Sequence, residues 1–223
     1  MGIRKVEGDI KVKKAVSAEH YIEKIKPVLR KTKFSQLKID EIAGYMDISK
    51  VTLYKHFSSR DDVIEAVVKH YIDYLLQADV IVQDASISFA ERFQKIYEQS
   101  LRCVVYVSDL FLEDLRDSYP TLFDRLIAAQ QIRYRNLETF FEAGMEQGVF
   151  NRLNAALFMV QDDAVLRRIM DPLFSIHYDM TLKQALMDFY QLKKYQLFQP
   201  DHVDSVQDSR TEQEIVNILK MIT

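Results

Sequence analysis

The sequence predicts an all-α protein, and three observations support that class. Glycine and proline are scarce, with 5 and 4 residues in a chain of 223, well below their usual shares of about 7% and 5%. A β protein needs such residues at its turns, whereas long segments here repeat their apolar residues with the helical period of about 3.6. Hydrophobic residues make up 48% of the chain and charged residues 28%, which is typical of a globular protein with a substantial core.

Several protein classes are excluded at this stage. No apolar run approaches the roughly 18 residues that span a membrane, so no membrane partner is expected. The basic N-terminus lacks the apolar centre of a secretory signal. Cys103 is the single cysteine, so an intramolecular disulfide is impossible and a cytoplasmic location is expected.

The N-terminal elements are predicted from caps and periodicity. Residues 1–17 are basic and show no sustained period, which predicts a flexible arm. Ser17 can cap the helix that follows, and Pro27 predicts a kink or a restart within it. Three helices are expected after the arm, at 18–31, 38–46 and 49–57.

Later elements follow the same signals. A capping box at Ser59 and Asp62 predicts the start of a long helix. The polar stretch 199–210 is expected to be a loop, and a second box at Thr211 and Glu214 is expected to open a short final helix. Between them the pattern predicts helices at 59–83, 86–107, 109–118, 120–147, 154–170 and 180–197.

Charge is distributed unevenly along the chain. Residues 1–60 hold 14 lysines and arginines against 7 aspartates and glutamates, a balance of +7, and the other residues balance at −10. A basic segment on an acidic body points to a polyanionic partner at one end. A lopsided solvated surface would give the same count, so charge alone does not decide between them.

The second and third helices form a helix-turn-helix pattern. Ile42 and Ala43 of the second helix can pack against Leu53 and Phe57 of the third, with Asp47 in the tight turn. This packing leaves one face of the third helix outside the small core. A helix presented in this way fits the major groove of DNA, and that face carries Lys50, Val51, Thr52, Tyr54 and Lys55.

The stretch IDEIAGYMDISKVTLYKHFSSRDDVIEAVV, Ile39–Val68, resembles the DNA-binding segment of the tetracycline-repressor (TetR) family. The matching features are the I-A pair, the I-S turn, the T-L-Y-K-H-F string and the capped helix after it. The resemblance implies an all-helical homodimer with a DNA-binding domain at 18–62 and a ligand-binding and dimerisation domain at 63–223. Such a protein binds palindromic double-stranded operator DNA and releases it when a small molecule binds.

The resemblance also implies which residues contact DNA. Lys50, Val51 and Thr52 would address bases, and most of the others would address phosphates. Val51 and Lys33 depart from the small residues usual in the family, which affects the operator sequence and the docking more than the motif. The full set is Lys38, Ser49, Lys50, Val51, Thr52, Tyr54, Lys55, His56 and Arg60.

The C-terminal part carries the candidates for ligand binding and assembly. Aromatic residues there are numerous, and a few of them can line an apolar cavity for a small, mostly apolar effector. The candidates are Cys103, Tyr106, Tyr134, Phe141, Phe174 and His177. The resemblance places a four-helix dimer interface on 154–170 and 180–197, with Leu186 and Phe189 in it. The helix from Ser59 is expected to be the only continuous connection between the two domains.

Catalytic and metal-binding patterns are missing from the sequence. None of the 5 histidines is spaced from a cysteine, histidine or carboxylate as in zinc sites, and there is no phosphate-binding glycine loop. We therefore predict a non-enzyme without a cofactor, a ligand-responsive transcriptional regulator that acts as a repressor. Two alternatives stay open. One is a helical adaptor that uses the same basic face on another acidic partner, and the less favoured one is a helical enzyme with a hydrophobic substrate.

Overall fold

The computed structural model describes residues 18–222, and every regular element in that range is a helix. The arm predicted at 1–17 lies outside the described residues. An isolated antiparallel bridge joins Phe150 to Phe198, and it is the one β-type pairing within the described range. The prediction of an all-α fold is confirmed.

The N-terminal unit contains the predicted helix-turn-helix. Asp47, between its two helices, has a φ of 58°, the left-handed conformation that aspartate tolerates better than most residues. The Ser49 hydroxyl accepts a hydrogen bond from the backbone N–H of Thr52 and so caps the third helix. The unit consists of α1 (Ala18–Leu29), a 3-10 turn (Phe34–Gln36), α2 (Ile39–Tyr45) and α3 (Lys50–His56).

The body contains the remaining described helices. The hydroxyl cap predicted at Ser59 is present, and Thr181 caps α11 in the same way, since each hydroxyl accepts from a backbone N–H three residues later. The body helices are α4 (Arg60–Leu76), α5 (Ala78–Gln83), α6 (Phe89–Tyr106), α7 (Asp109–Ser118), α8 (Pro120–Glu146), α9 (Ala155–Ile169), α10 (Phe174–Tyr178), α11 (Leu182–Leu197), α12 (Pro200–Val203) and α13 (Asp208–Ile222).

The long helix predicted at 59–83 is two helices, because α4 ends at Leu76. The backbone N–H of Gln77 turns back to the carbonyl of Tyr74 at 3.2 Å. The side-chain amide of Gln99, on α6, donates to the same carbonyl at 2.9 Å. A residue distant in sequence thus satisfies the end of α4, where unpaired carbonyls would otherwise remain.

Two other local predictions were wrong. Helix α1 continues through Pro27 without a restart, since only one backbone bond is lost so close to its end. Helix α13 begins at Asp208 and not at Thr211. Thr211 is fully buried inside that helix, and Glu214 pairs with Arg102. The segments α10 and α12 were not predicted, and α12 lies in the stretch expected to be a loop.

Two apolar cores hold the described residues together. One lies within the body, and the other combines α1–α4 with side chains of α7 and α8, including Phe111, Leu115 and Leu126. Packing contacts between the two parts thus accompany the continuous connection that α4 provides. The N-terminal unit packs directly on the body, which couples their positions.

Candidate nucleic-acid interface and ligand cavities

The outer face of α3 is the first candidate site. Lys50, Val51, Tyr54 and Lys55 are exposed on it, whereas Leu53 is completely buried on the opposite side. An exposed valine and tyrosine between two lysines combine apolar contact with positive charge. Such a face can meet both base edges and phosphates in a DNA groove.

The start of α3 is held by local contacts. The hydroxyls of Ser49 and Thr52 lie 2.9 Å apart, so both already take part in the cap. The ammonium of Lys50 lies 3.1 Å from the carboxylate of Asp40 on α2. Both partners are exposed, so this ion pair is weak and a phosphate or base can replace it.

Two further predicted DNA contacts flank this face. Lys38 is exposed immediately before α2, and His56 is exposed at the end of α3. The His56 ring packs edge-on against Tyr21, with 4.9 Å between ring centroids. From Ala18 to Arg60 there are 9 basic and 5 acidic residues, so the described part of the unit is itself basic.

Arg60 has a structural role in addition to the predicted one. Its guanidinium donates to the carbonyl of Ser35 at 3.2 Å and to the hydroxyl of Tyr119 at 3.3 Å. Ser35 in turn donates from its backbone N–H to Asp114 on α7, at 3.0 Å, and from its hydroxyl to the same carboxylate. Together these bonds fix the turn before α2 and the start of α4 to the body.

Two neighbouring cavities inside the body are the second candidate site. A small one of about 20 Å³ lies among α6, α8 and α9 and is lined by Ser100, Arg133 and Asp162 among others; we call it the polar cavity. A larger one of about 360 Å³ is lined mainly by apolar side chains of α4, α7 and α8, such as Leu75 and Leu126; we call it the apolar cavity. The residues that line both are Cys103, Gln130, Tyr134 and Asp163.

The predicted ligand-binding residues divide into two groups. Cys103 and Tyr134 line both of these cavities, and Tyr106 lines a third cavity of about 280 Å³ beside α1. The other three predicted residues line none of these three cavities. Phe141 is buried between the rings of Phe150 and Phe158 in the body core. Phe174 and His177 lie on α10, where Phe174 is half-buried against the body core and His177 is exposed.

Sequence reasoning missed two buried charged residues that line the polar cavity, Arg133 and Asp162, and the lysine that pairs with Asp162. Arg133 on α8 is 4% exposed, Asp162 on α9 is 8% exposed, and Lys193 on α11 is completely buried. Each interrupts the apolar stripe of its helix at a core position; Arg133, for example, falls between Ala129 and Leu137. A charged residue at a core position was the signal that could have identified them.

Protonation states in this region follow burial. Burial raises the pKa of the Cys103 thiol, which keeps it protonated and unreactive at neutral pH. Burial also raises the pKa of Asp162 and lowers that of Lys193. The two groups oppose these shifts by pairing at 2.9 Å.

Two kinds of feature are absent from the described part of the chain. Residues 18–222 contain no group of three or more histidine, cysteine, aspartate or glutamate side chains placed to hold a metal ion. No helix in the same range is long and apolar enough to cross a membrane.

Comparison with solved structures identifies the fold. A protein from Rhodococcus sp. described as a TetR-family transcriptional regulator matches with a TM-score of 0.56 and 14% identity, over 84% of this chain and 97% of that one. A protein from Saccharomonospora viridis described as a transcriptional regulator, solved in complex with choline, matches with a TM-score of 0.62 and 16% identity, over 81% and 97%. The chain therefore has the fold of TetR-family transcriptional regulators, as the sequence predicted.

Fold similarity does not extend to sequence or to a single function. No protein-family model and no curated protein matches this sequence. A superantigen named pfit matches with a TM-score of 0.57 and 13% identity, over 81% of this chain and 88% of that one. Because one fold serves different roles, function has to be argued from the sites themselves.

Proposed function

We propose that this chain is a cytoplasmic transcriptional regulator that binds double-stranded operator DNA as a homodimer and is not an enzyme. The observation that carries the proposal is the outer face of α3, where Lys50, Val51, Tyr54 and Lys55 are exposed on a helix fixed by a buried Leu53. A rigid helix that presents such a face is the element that helix-turn-helix proteins insert in the major groove.

Within this proposal the residues of the N-terminal unit fall into two groups, those that contact bases and those that contact phosphates. Lys50, Val51 and Thr52 lie in the first turn of α3 and address base edges. The surrounding side chains address phosphates and set the position of the unit, and they are Lys38, Ser49, Tyr54, Lys55, His56 and Arg60. Arg60 does so with the part of its guanidinium not committed to Ser35 and Tyr119.

The dimer in this proposal uses the outer faces of α9 and α11. Leu186 and Phe189 are buried within the chain and so cannot form the interface predicted for them. The exposed residues are instead Leu157 and Val160 on α9 and Leu192 and Tyr195 on α11, with Leu157 68% and Leu192 67% exposed. Exposed apolar faces on two packed helices suit a four-helix interface with a second copy.

The effector site in this proposal is the pair of cavities in the body. The apolar cavity touches Leu75 of α4 and Leu112 of α7, the two helices that hold the N-terminal unit. A small, mostly apolar molecule that enlarges this cavity displaces one or both helices and changes the separation of the two α3 helices in the dimer. Operator DNA fixes that separation at about 34–36 Å, so binding of the effector releases DNA and relieves repression.

DNA binding is tested by selecting genomic fragments on the purified full-length protein and measuring affinity by fluorescence anisotropy. Lys50→Ala should lose about 1–3 kcal/mol on the selected sequence, because a good base contact contributes about that much, and should lose less on random DNA. Lys69→Ala is the matched control, since Lys69 is an exposed lysine on α4 that pairs with Asp73. Its affinity should equal that of the wild type.

Two results would contradict the proposal. If the selection enriches no DNA sequence above background, the protein does not bind DNA specifically and the proposal is refuted. If Lys50→Ala loses equal affinity for selected and random DNA, Lys50 contacts a phosphate and not a base.

A further inference from the structure

The chemical class of the effector follows from the charges around the polar cavity, and this inference rests on the proposed role of the two cavities as the effector site. Arg133 is 4% exposed, and the two side chains that accept its hydrogen bonds are uncharged. Its Nε donates to the side-chain oxygen of Gln99 at 3.1 Å, and a terminal nitrogen donates to the Ser100 hydroxyl at 2.7 Å. No carboxylate in the described range lies within ion-pair distance of it.

The one buried carboxylate nearby is already committed. Asp162 also lines the polar cavity, but its carboxylate lies 2.9 Å from the ammonium of Lys193. Arg133, Asp162 and Lys193 are all more than nine-tenths buried, and together they carry a net charge of +1. A proton moving from Lys193 to Asp162 would leave that sum unchanged, because it neutralises both members of the pair.

The buried neighbouring charges do not cancel this excess. Asp163 lines both cavities, but it is paired with Arg167 at 3.0 Å. The other carboxylate on Arg167, that of Asp109 at 2.9 Å, is exposed to solvent and lines neither cavity. A buried cation without a counter-charge is costly, and a ligand that brings one negative charge removes that cost. A cationic ligand would add to the positive charge and is disfavoured.

The sizes and linings of the two cavities indicate the size and polarity of the remaining parts of the ligand. The polar cavity, about 20 Å³, has room for a group the size of a water molecule, such as one carboxylate oxygen. The apolar cavity, about 360 Å³ and bordered by Leu112, Leu126 and Ile127, is near the lower end of the range for small-molecule sites. We propose that the effector is an amphipathic monoanion, a small carboxylic acid whose carboxylate pairs with Arg133 and whose apolar body fills the apolar cavity.

The test is isothermal titration calorimetry on the full-length protein without DNA. Octanoate is compared with octanamide, which has the same shape without the charge, and with octylamine, which has the opposite charge. A second pair, 3-phenylpropionate and its amide, asks whether the body of the ligand is aliphatic or aromatic. At least one carboxylate should bind tenfold or more tightly than its amide, and octylamine should not bind.

Variants assign this preference to Arg133. Arg133→Met removes the charge and should abolish the preference for the carboxylate, and Arg133→Lys should retain part of it. Arg135→Met is the matched control, because Arg135 lies on the same helix and is exposed; its preference should be that of the wild type. If Arg133→Met fails to fold, the comparison of carboxylate, amide and amine on the wild-type protein still tests whether the site prefers an anion.

Three outcomes would overturn the inference. They are equal affinity for carboxylate and amide, a preference that persists in folded Arg133→Met, and no binding of either carboxylate at millimolar concentration. The experiment contains no DNA, so its failure is separate from a failure of operator binding. A carboxylate that binds but leaves operator affinity unchanged would contradict induction and leave the ligand class standing.

Discussion

Asp114 offers the sharpest test of how the N-terminal unit is held on the body. It lies on α7, is 2% exposed, and accepts two hydrogen bonds from Ser35, one from the backbone N–H and one from the hydroxyl. Replacing Asp114 with Asn keeps the shape of the side chain. The amide has one acceptor oxygen and one donor group, so the Ser35 N–H can keep its acceptor while the Ser35 hydroxyl has to accept from the amide instead of donating. Both bonds then become bonds between neutral groups.

The expected cost follows from that geometry. A hydrogen bond to a charged group contributes about 1.5–3 kcal/mol, whereas one between neutral groups contributes about 0.5–1.5 kcal/mol, so each of the two bonds loses about 1 kcal/mol. We expect Asp114→Asn to lower the free energy of unfolding by about 2 kcal/mol. Since each 1.4 kcal/mol is a factor of about ten, the amide of Ser35 should exchange with solvent roughly 30-fold faster if it opens locally.

The assay is urea unfolding followed by circular dichroism, together with hydrogen exchange at Ser35. The control is Glu113→Gln, one residue earlier, because Glu113 is half-exposed and pairs with Lys33 at 3.4 Å. An exposed pair of this kind contributes about 0–1 kcal/mol, so the control should be nearly silent. If Asp114→Asn is as silent as Glu113→Gln by both measurements, the contact does not hold the unit on the body.

Two further predictions concern packing and assembly. Gly144→Ala should destabilise the protein by about 1–3 kcal/mol through overpacking, because an added Cβ would overlap the ring of Phe150. Gly44→Ala has nothing within 4 Å of an added Cβ and should stabilise α2 by about 0.8–1.0 kcal/mol. If thermal unfolding ranks the two variants the other way, the packing argument is contradicted. Leu192→Glu should weaken dimerisation at least 100-fold, or about 2.8 kcal/mol, in sedimentation velocity with the helical circular dichroism spectrum intact. Val80→Glu, equally exposed on α5, should leave the dimer unchanged, and a monomeric wild type would refute the interface.

The N-terminal unit was predictable because its signals are local. Hydroxyl caps at Ser49 and Ser59, an aspartate in a tight turn and a short apolar spacing all act within a few residues. Each determines a helix end or a buried face without reference to the rest of the chain. The fold class and the helix-turn-helix could therefore be derived from the sequence.

The body was less predictable because distant residues decide it. The end of α4 depends on Gln99, which lies on another helix. Helix α11 has apolar residues on two sides, and its period does not reveal that Leu186 faces the core while Leu192 faces outward. An aromatic residue such as Phe141 has the same pattern whether it lines a cavity or packs in a core, so the cavity lining required the structure.

Arg133 connects the proposed effector site to the proposed DNA interface through a short chain of hydrogen bonds. Its Nε holds the side-chain oxygen of Gln99, and the amide of Gln99 donates to the carbonyl of Tyr74 at the end of α4. Helix α4 has 17 residues and so extends about 25 Å, from this contact to Arg60 beside the recognition helix. An anion that draws the guanidinium toward the polar cavity competes with Gln99 for it, and thereby loosens one end of α4. The other end of α4 stays bonded to Ser35 of the N-terminal unit through Arg60, so a change in the angle of α4 would be transmitted to that unit. Since a ligand shifts an equilibrium only by its preference for one state, the strength of induction is set by how much better the anion pairs with Arg133 once Gln99 has released it.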